Sequence, residues 1–180
     1  YDAPVIPDPA PVPHATTLLV ESTYGNRMHG EVPPKQVLCE AINEAAERGG
    51  AIIIPSFAVE RAQELLYHLR ELEDEGRIPI LPVYVDSPMA IDATPLFVRH
   101  SEEHDEQMKK LLAGGKRPLL TRKTHFTRTP RESKQINDVR RCIIISASGM
   151  VTGGRILHHL KNRLPFGNNT VLFVGYQAEG

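Results

Sequence analysis

Four short polar stretches follow apolar runs in this sequence, and their residue types suit the binding of an anion. They are Glu21-Ser22-Thr23-Tyr24-Gly25, Ser56-Phe57, Asp86-Ser87-Pro88 and Ser146-Ala147-Ser148-Gly149. Hydroxyls and the free N–H groups of a helix start donate hydrogen bonds to phosphate or carboxylate oxygens. The last stretch is the richest, because two hydroxyls, Gly149, Gly153 and Gly154 precede a helix that opens with Arg155. A cation at that end opposes the helix dipole unless an anion sits nearby. The plainer reading is helix capping, since Ser and Asp are favoured N-caps. Capping covers Ser87 with Asp86, extends to Ser56, and explains less of residues 146–154. The loop fits neither GxxxxGK(S/T) nor GxGxxG, so a P-loop or dinucleotide fingerprint is absent.

Other chemistries have weaker carriers. His100 and His104 stand one helical turn apart and could clamp a metal, yet His-Ser-Glu-Glu-His lacks the Glu that follows the first His of a zincin, and a solvated helix face is expected. His158 and His159 point to different faces of one helix and read as packing or surface residues. No HxHxDH cluster and no GxSxG nucleophile elbow occurs. Residues 116–141 carry nine basic side chains against Glu132 and Asp138, within a chain of net charge -1. Set beside His125, Phe126 and Thr127, that block could contact phosphates or be solvated surface.

The elements that must position these residues follow from hydrophobic periodicity. Pro4, Pro7, Pro9, Pro11 and Pro13 make residues 1–16 an extended connector. The folded unit is expected over 17–180. Strands are predicted at Thr17–Glu21, Ala51–Pro55, Val83–Val85, Ile143–Ile145 and Val171–Val174. One helix carries Val37, Leu38, Ala41, Ile42 and Ala45 on a single face and stops at Gly49 and Gly50; a second carries Val59, Ala62, Leu65, Leu66 and Leu69. Further helices are predicted over 88–98, 102–112, 131–140 and 155–164. Uninterrupted apolar strands separated by helices imply an α/β domain with an open, mainly parallel sheet flanked by helices. The carboxyl ends of parallel strands share one edge, where such domains bind ligands. All four polar stretches are therefore expected there.

Composition narrows the class. At 180 residues, 41% hydrophobic and 24% charged, the chain can bury a sizeable core and lacks any run long enough for a membrane-spanning helix. Cys39 and Cys142 are far apart without CxxC spacing, which points to buried, reduced thiols in a cytoplasmic protein rather than a disulfide framework or zinc ribbon. The first residue, Tyr1, reads as the start of a piece of a longer protein.

The stretches ESTYGNRMH (Glu21 to Arg27, with His29), PSFAVERAQE (Pro55–Glu64) and SASGM (Ser146–Met150), in that order, closely resemble one family. The chain is similar to the β-CASP portion of metallo-β-lactamase-fold RNA-processing nucleases, including the cleavage and polyadenylation endonuclease subunit and its bacterial and archaeal relatives. The resemblance covers essentially the whole chain. It implies a Rossmann-like cap over a metallo-β-lactamase domain that holds two zinc ions through an HxHxDH motif and further His and Asp ligands. Tyr1-Asp2 resembles the sequence just after the family's metal-binding Asp, and Gly175–Gly180 resembles the end of the cap. No metal ligand or cofactor is then expected in this chain.

By that resemblance Glu21 matches the family's acidic motif and orients a histidine of the parent protein as a general acid. Without it, Glu21 reads as an exposed carboxylate at a strand end. Ser56, Ser146, Ser148 and Gly149 become candidates for backbone phosphates of single-stranded RNA, with Arg61 and Arg155 as charge partners. Arg61 also reads as a helix-surface residue between Glu60 and Glu64. The implied function is the RNA-binding cap of a zinc-dependent ribonuclease, partnered by the metallo-β-lactamase domain and no membrane, in a parent that could be a homodimer. A non-catalytic scaffold that has lost its metal ligands is the alternative, and an intact upstream HxHxDH separates the two. A small-molecule α/β enzyme using the same edge is a third reading, which a deep apolar pocket would favour.

Overall fold

The computed structural model describes residues 4–26, 28, 30 and 32–177. Its elements run α1 (Pro34–Glu47), β1 (Ile52–Pro55), α2 (Arg61–Asp74), β2 (Val83–Asp86), α3 (Pro88–Arg99), α4 (Glu106–Ala113), β3 (Thr124–Phe126), α5 (Pro130–Gln135), β4 (Ile143–Ser146), α6 (Ile156–Arg163) and β5 (Thr170–Val171). Short 3-10 turns cover Ser101–Glu103 and Ile136–Asp138. No helix among the described residues is long and apolar enough to cross a membrane.

The sheet has the order β3-β2-β4-β1-β5, with every pairing parallel. Its centre is Ile52-Ile53-Ile54 beside Ile143-Ile144-Ile145, buried on both faces. Alternation along the strand sends Ile52, Ile54, Ile143 and Ile145 to a core with α1, α2 and α3, and Ile53 and Ile144 to a core with Ile156 and Leu160 of α6. Each of these isoleucines contributes roughly 2–3 kcal/mol by leaving water. This is the sheet expected from the sequence, covered on both sides.

Three local expectations change. Thr17–Glu21 is not a strand: it lies outside the sheet with Leu18, Leu19 and Val20 exposed, so apolar, β-branched composition found no partner edge there. Three of the four polar stretches thus directly follow strands of the sheet. β3, unrecognised in the basic block, is a three-residue strand whose hydrogen bonds to β2 outweigh its exposure. The helix expected from residue 102 starts at Glu106, because Asp105 caps it by accepting from Met108 N at 2.6 Å. Within the proline-rich segment Val5 is buried beside Tyr67, Met108 and Leu119, and its carbonyl accepts from Asp105 N at 3.1 Å, while residues 7–16 are exposed.

Candidate functional site

The register at the carboxyl edge aligns Pro55 and Asp86 on either side of Ser146. The loops that follow β1, β2 and β4 therefore emerge side by side. Ser56 N donates to Ser146 O at 3.0 Å, tying the first residues of two loops together. Both serines are buried: Ser56 Oγ donates to Phe57 O at 2.9 Å, and Ser146 Oγ to Asp86 O at 2.9 Å. Their hydroxyls shape the edge from behind its surface.

The loop after β4 is folded on itself. Ser148 N donates to Gly153 O at 3.2 Å, Ile156 N to Ala147 O at 3.2 Å, and Thr152 N to Ser148 Oγ at 3.3 Å. One glycine is sterically required and a second is closely fitted. Gly154 has φ +82°, and a Cβ there would lie 2.4 Å from Ala147 O. A Cβ on Gly149 would lie 3.0 Å from Phe57 N and the Phe57 ring, so the two loops are in backbone contact. Two non-glycine residues on these same loops, Glu60 (φ +69°) and Val151 (φ +57°), occupy the left-handed region.

Behind this edge stands a buried carboxylate that sequence reasoning assigned to capping. Ser87 alone caps α3, accepting from Ala90 N at 3.3 Å. Asp86 instead turns inward. Its Oδ1 accepts from Thr127 Oγ1 at 2.7 Å and Arg155 Nη1 at 2.7 Å; its Oδ2 accepts from Ser133 Oγ at 2.5 Å and lies 2.7 Å from His159 Nε2. Burial by itself would raise this carboxyl, but the hydrogen bonds from His159, Ser133, Thr127 and Arg155 outweigh it and hold it down to about 2. Arg155 also donates to Thr127 O at 2.9 Å and Arg128 O at 2.7 Å. The anion beside this cation is therefore supplied by the chain itself. The residues of the cluster come from the ends of β2 and β3 and from α5 and α6, and only the Asp directly after Val-Tyr-Val and the Arg at a helix start hinted at it.

The remaining candidates are placed as follows. Arg61 opens α2 and pairs with Glu64, with 38% of its side chain exposed. Glu21 is exposed, and hydrogen bonds from the Thr23 side chain and then its backbone hold the carboxyl below the usual range. It is not at a strand end, yet its segment reaches the edge: Tyr24 packs edge-on against Tyr176 at 6.0 Å, and the neighbouring Gln177 Nε2 donates to Gly149 O at 2.8 Å. Arg27, His29, Tyr1, Asp2 and residues 178–180 lie outside the described residues. His104 is buried against Phe97 O rather than solvated, and His100 pairs with Glu102 at 2.9 Å, so the two histidines have separate partners. Among the described residues no group of three His, Cys, Asp or Glu side chains could hold a metal. Cys39 and Cys142 are free and buried, and burial pushes the Cys142 thiol up to about 11.

Residues 62–180 match the model of the Beta-Casp domain. The chain is 38% identical over 180 residues to a ribonuclease of Thermus thermophilus, covering 98% of this chain and 41% of that protein. It is 36% identical over 175 residues to transcription termination factor FttA of Methanocaldococcus jannaschii, covering 93% of the chain and 27% of the relative. Against the factor of the same name from Methanosarcina mazei it is 35% identical over 191 residues, with 100% and 29% covered. The chain thus spans well under half the length of these relatives.

Proposed function

The chain belongs to the Beta-Casp family, and on that premise we propose that it is the RNA-contacting cap of a metal-dependent ribonuclease. A ribonuclease among its relatives supports the substrate class and the reaction. The observation that carries the reading is the alignment of Pro55 and Asp86 on either side of Ser146, which sets the 56–61 and 147–155 loops next to each other at the carboxyl edge. Backbone N–H groups and hydroxyls gathered at such an edge suit phosphate oxygens.

In this reading Ser148 and Gly149 meet the RNA backbone, with Arg61 at the mouth of the neighbouring loop. Ser56, Ser146 and Arg155 hold that surface in shape from beneath. Glu21, ionised and exposed, orients an imidazole of a companion metallo-β-lactamase domain; a carboxylate partner selects the tautomer and favours the protonated form that a leaving oxygen needs. The side chains described here do not fit a zinc site, so no step is assigned to metal on this chain. Zinc belongs, in this proposal, to the companion domain of a cytoplasmic protein.

The test is cleavage of end-labelled single-stranded RNA by the whole protein. Glu21→Gln keeps the shape and removes the charge, and turnover should fall about 10²-fold or more with RNA affinity nearly unchanged. RNA binding by the wild type without cleavage would support the scaffold alternative. Absence of RNA binding would end the proposal.

A further inference from the structure

We propose that the exposed edge of the sheet along β3 is a second contact for single-stranded RNA, the path by which a strand held at the carboxyl edge leaves it. The inference rests on the RNA reading above but on different residues. Among the described residues β3 pairs with β2 on one side only, at the end of the sheet, and both His125 and Phe126 are exposed. The His125 ring stacks on Tyr84 of β2, with centroids 5.0 Å apart and planes at 22°. The basic block to which this strand belongs is largely unneutralised. Glu132, one of its two acids, is committed to the α5 capping box, accepting from Arg128 N at 2.7 Å and Thr129 N at 2.9 Å. Arg128 pairs with Asp92. Lys123, Arg131 and Lys134 are exposed and make no ion pair among the described residues.

Geometry links this face to the first. Arg128 follows β3 at the carboxyl edge, where its carbonyl accepts from Arg155, and Thr127 bonds Asp86. Lys123 precedes β3 at the other end, its carbonyl accepting from Val83 N at 2.9 Å. The five steps of chain from Lys123 to Arg128 span about 16 Å at roughly 3.3 Å each, room for several stacked nucleotides at about 3.4 Å each. Arg131 and Lys134 line a shallow depression of about 460 Å³ together with Asp138, the second acid of the block. Cations and an accessible ring on one stretch of chain are what holds single strands without sequence preference: phosphates follow the charges and a base lies on the ring. An acidic protein would use the cations and leave the stacked imidazole without a role.

The experiment titrates the whole protein with fluorescent oligouridylates of about 4 and about 16 nucleotides at several salt concentrations. The short probe fills one contact and the long one reaches both. The triple variant Lys123→Gln, Arg131→Gln, Lys134→Gln should bind the long probe about tenfold or more weakly, and its salt slope should shrink by about 2, near 0.7 per lost phosphate contact. Affinity for the short probe should stay the same. His125→Ala should weaken the long probe several-fold and His125→Tyr, which keeps a ring to stack on, should not. Equal effects on both probes, or an unchanged titration with the long one, would overturn the proposal and leave the face to a protein partner. A wild type that binds neither probe would overturn the RNA reading itself.

Discussion

Asp86 and Arg155, separated by 69 positions in the chain, meet at 2.7 Å between a fully buried carboxylate and a guanidinium whose side chain is one-fifth exposed. The pair fastens the end of β2 to the start of α6, and through Thr127 and Arg128 it fastens the end of β3 as well. The loops at the carboxyl edge are therefore held by one charge beneath them.

Removing that charge should be costly. Asp86→Ala leaves Arg155, His159, Ser133 and Thr127 without their shared acceptor, and a loss of about 3–5 kcal/mol of unfolding free energy is expected. Asp86→Asn keeps the shape and should lose less. Urea denaturation of the two variants beside the wild type measures both; a loss below about 1 kcal/mol for Asp86→Ala would show that the cluster carries little stability.

The same carboxylate sets an acid limit. Its folded value, about 2, lies below its ordinary 3.8, so on acidification the unfolded chain takes up the proton first. The stabilisation is complete above about pH 4 and is lost as pH falls through about 2, amounting to about 2 kcal/mol. Urea midpoints taken across that range should converge for wild type and Asp86→Asn as pH falls, and parallel curves would refute the assignment.

Two adjacent glycines should behave oppositely. Gly154→Ala meets Ala147 O in a left-handed backbone and should destabilise by more than about 1 kcal/mol while weakening RNA binding through the displaced loop. Gly153→Ala meets nothing within 4 Å and lies outside that backbone region, so stability should hold or rise by about 0.4–1 kcal/mol. Thermal unfolding of both variants decides it.

Arg155→Ala distinguishes support from direct contact. Because Asp86 offsets its charge, the variant should lose about 2–3 kcal/mol of stability yet change the salt slope of RNA binding by well under the 0.7 of a phosphate contact. A full unit of slope change with stability intact would make Arg155 a direct ligand of the RNA. Salt titrations paired with urea denaturation read both quantities.

Patterns that repeat over a few residues were legible without the fold. The Ile triplets at 52–54 and 143–145 read as strands buried on both faces, and the 3.6-residue stripe of Leu65, Leu66 and Leu69 as a helix packed on them. Together they led to a parallel sheet and hence to a carboxyl edge bearing Ser56, Ser146, Ser148 and Gly149. Composition misled at Thr17–Glu21, where apolar, β-branched residues have strand preference but no neighbouring edge, and it was silent at β3, whose three residues are too few to show a period. The Asp86 cluster was out of reach for a different reason. Its members lie at 86, 127, 133, 155 and 159, on four different elements, and nothing local to any of them specifies that five polar groups share one buried point. Only the packing of α5 and α6 against the ends of β2 and β3 brings them within hydrogen-bond distance. Once there, exclusion of water makes the contacts mutually necessary, because a buried carboxylate without donors would not stay charged.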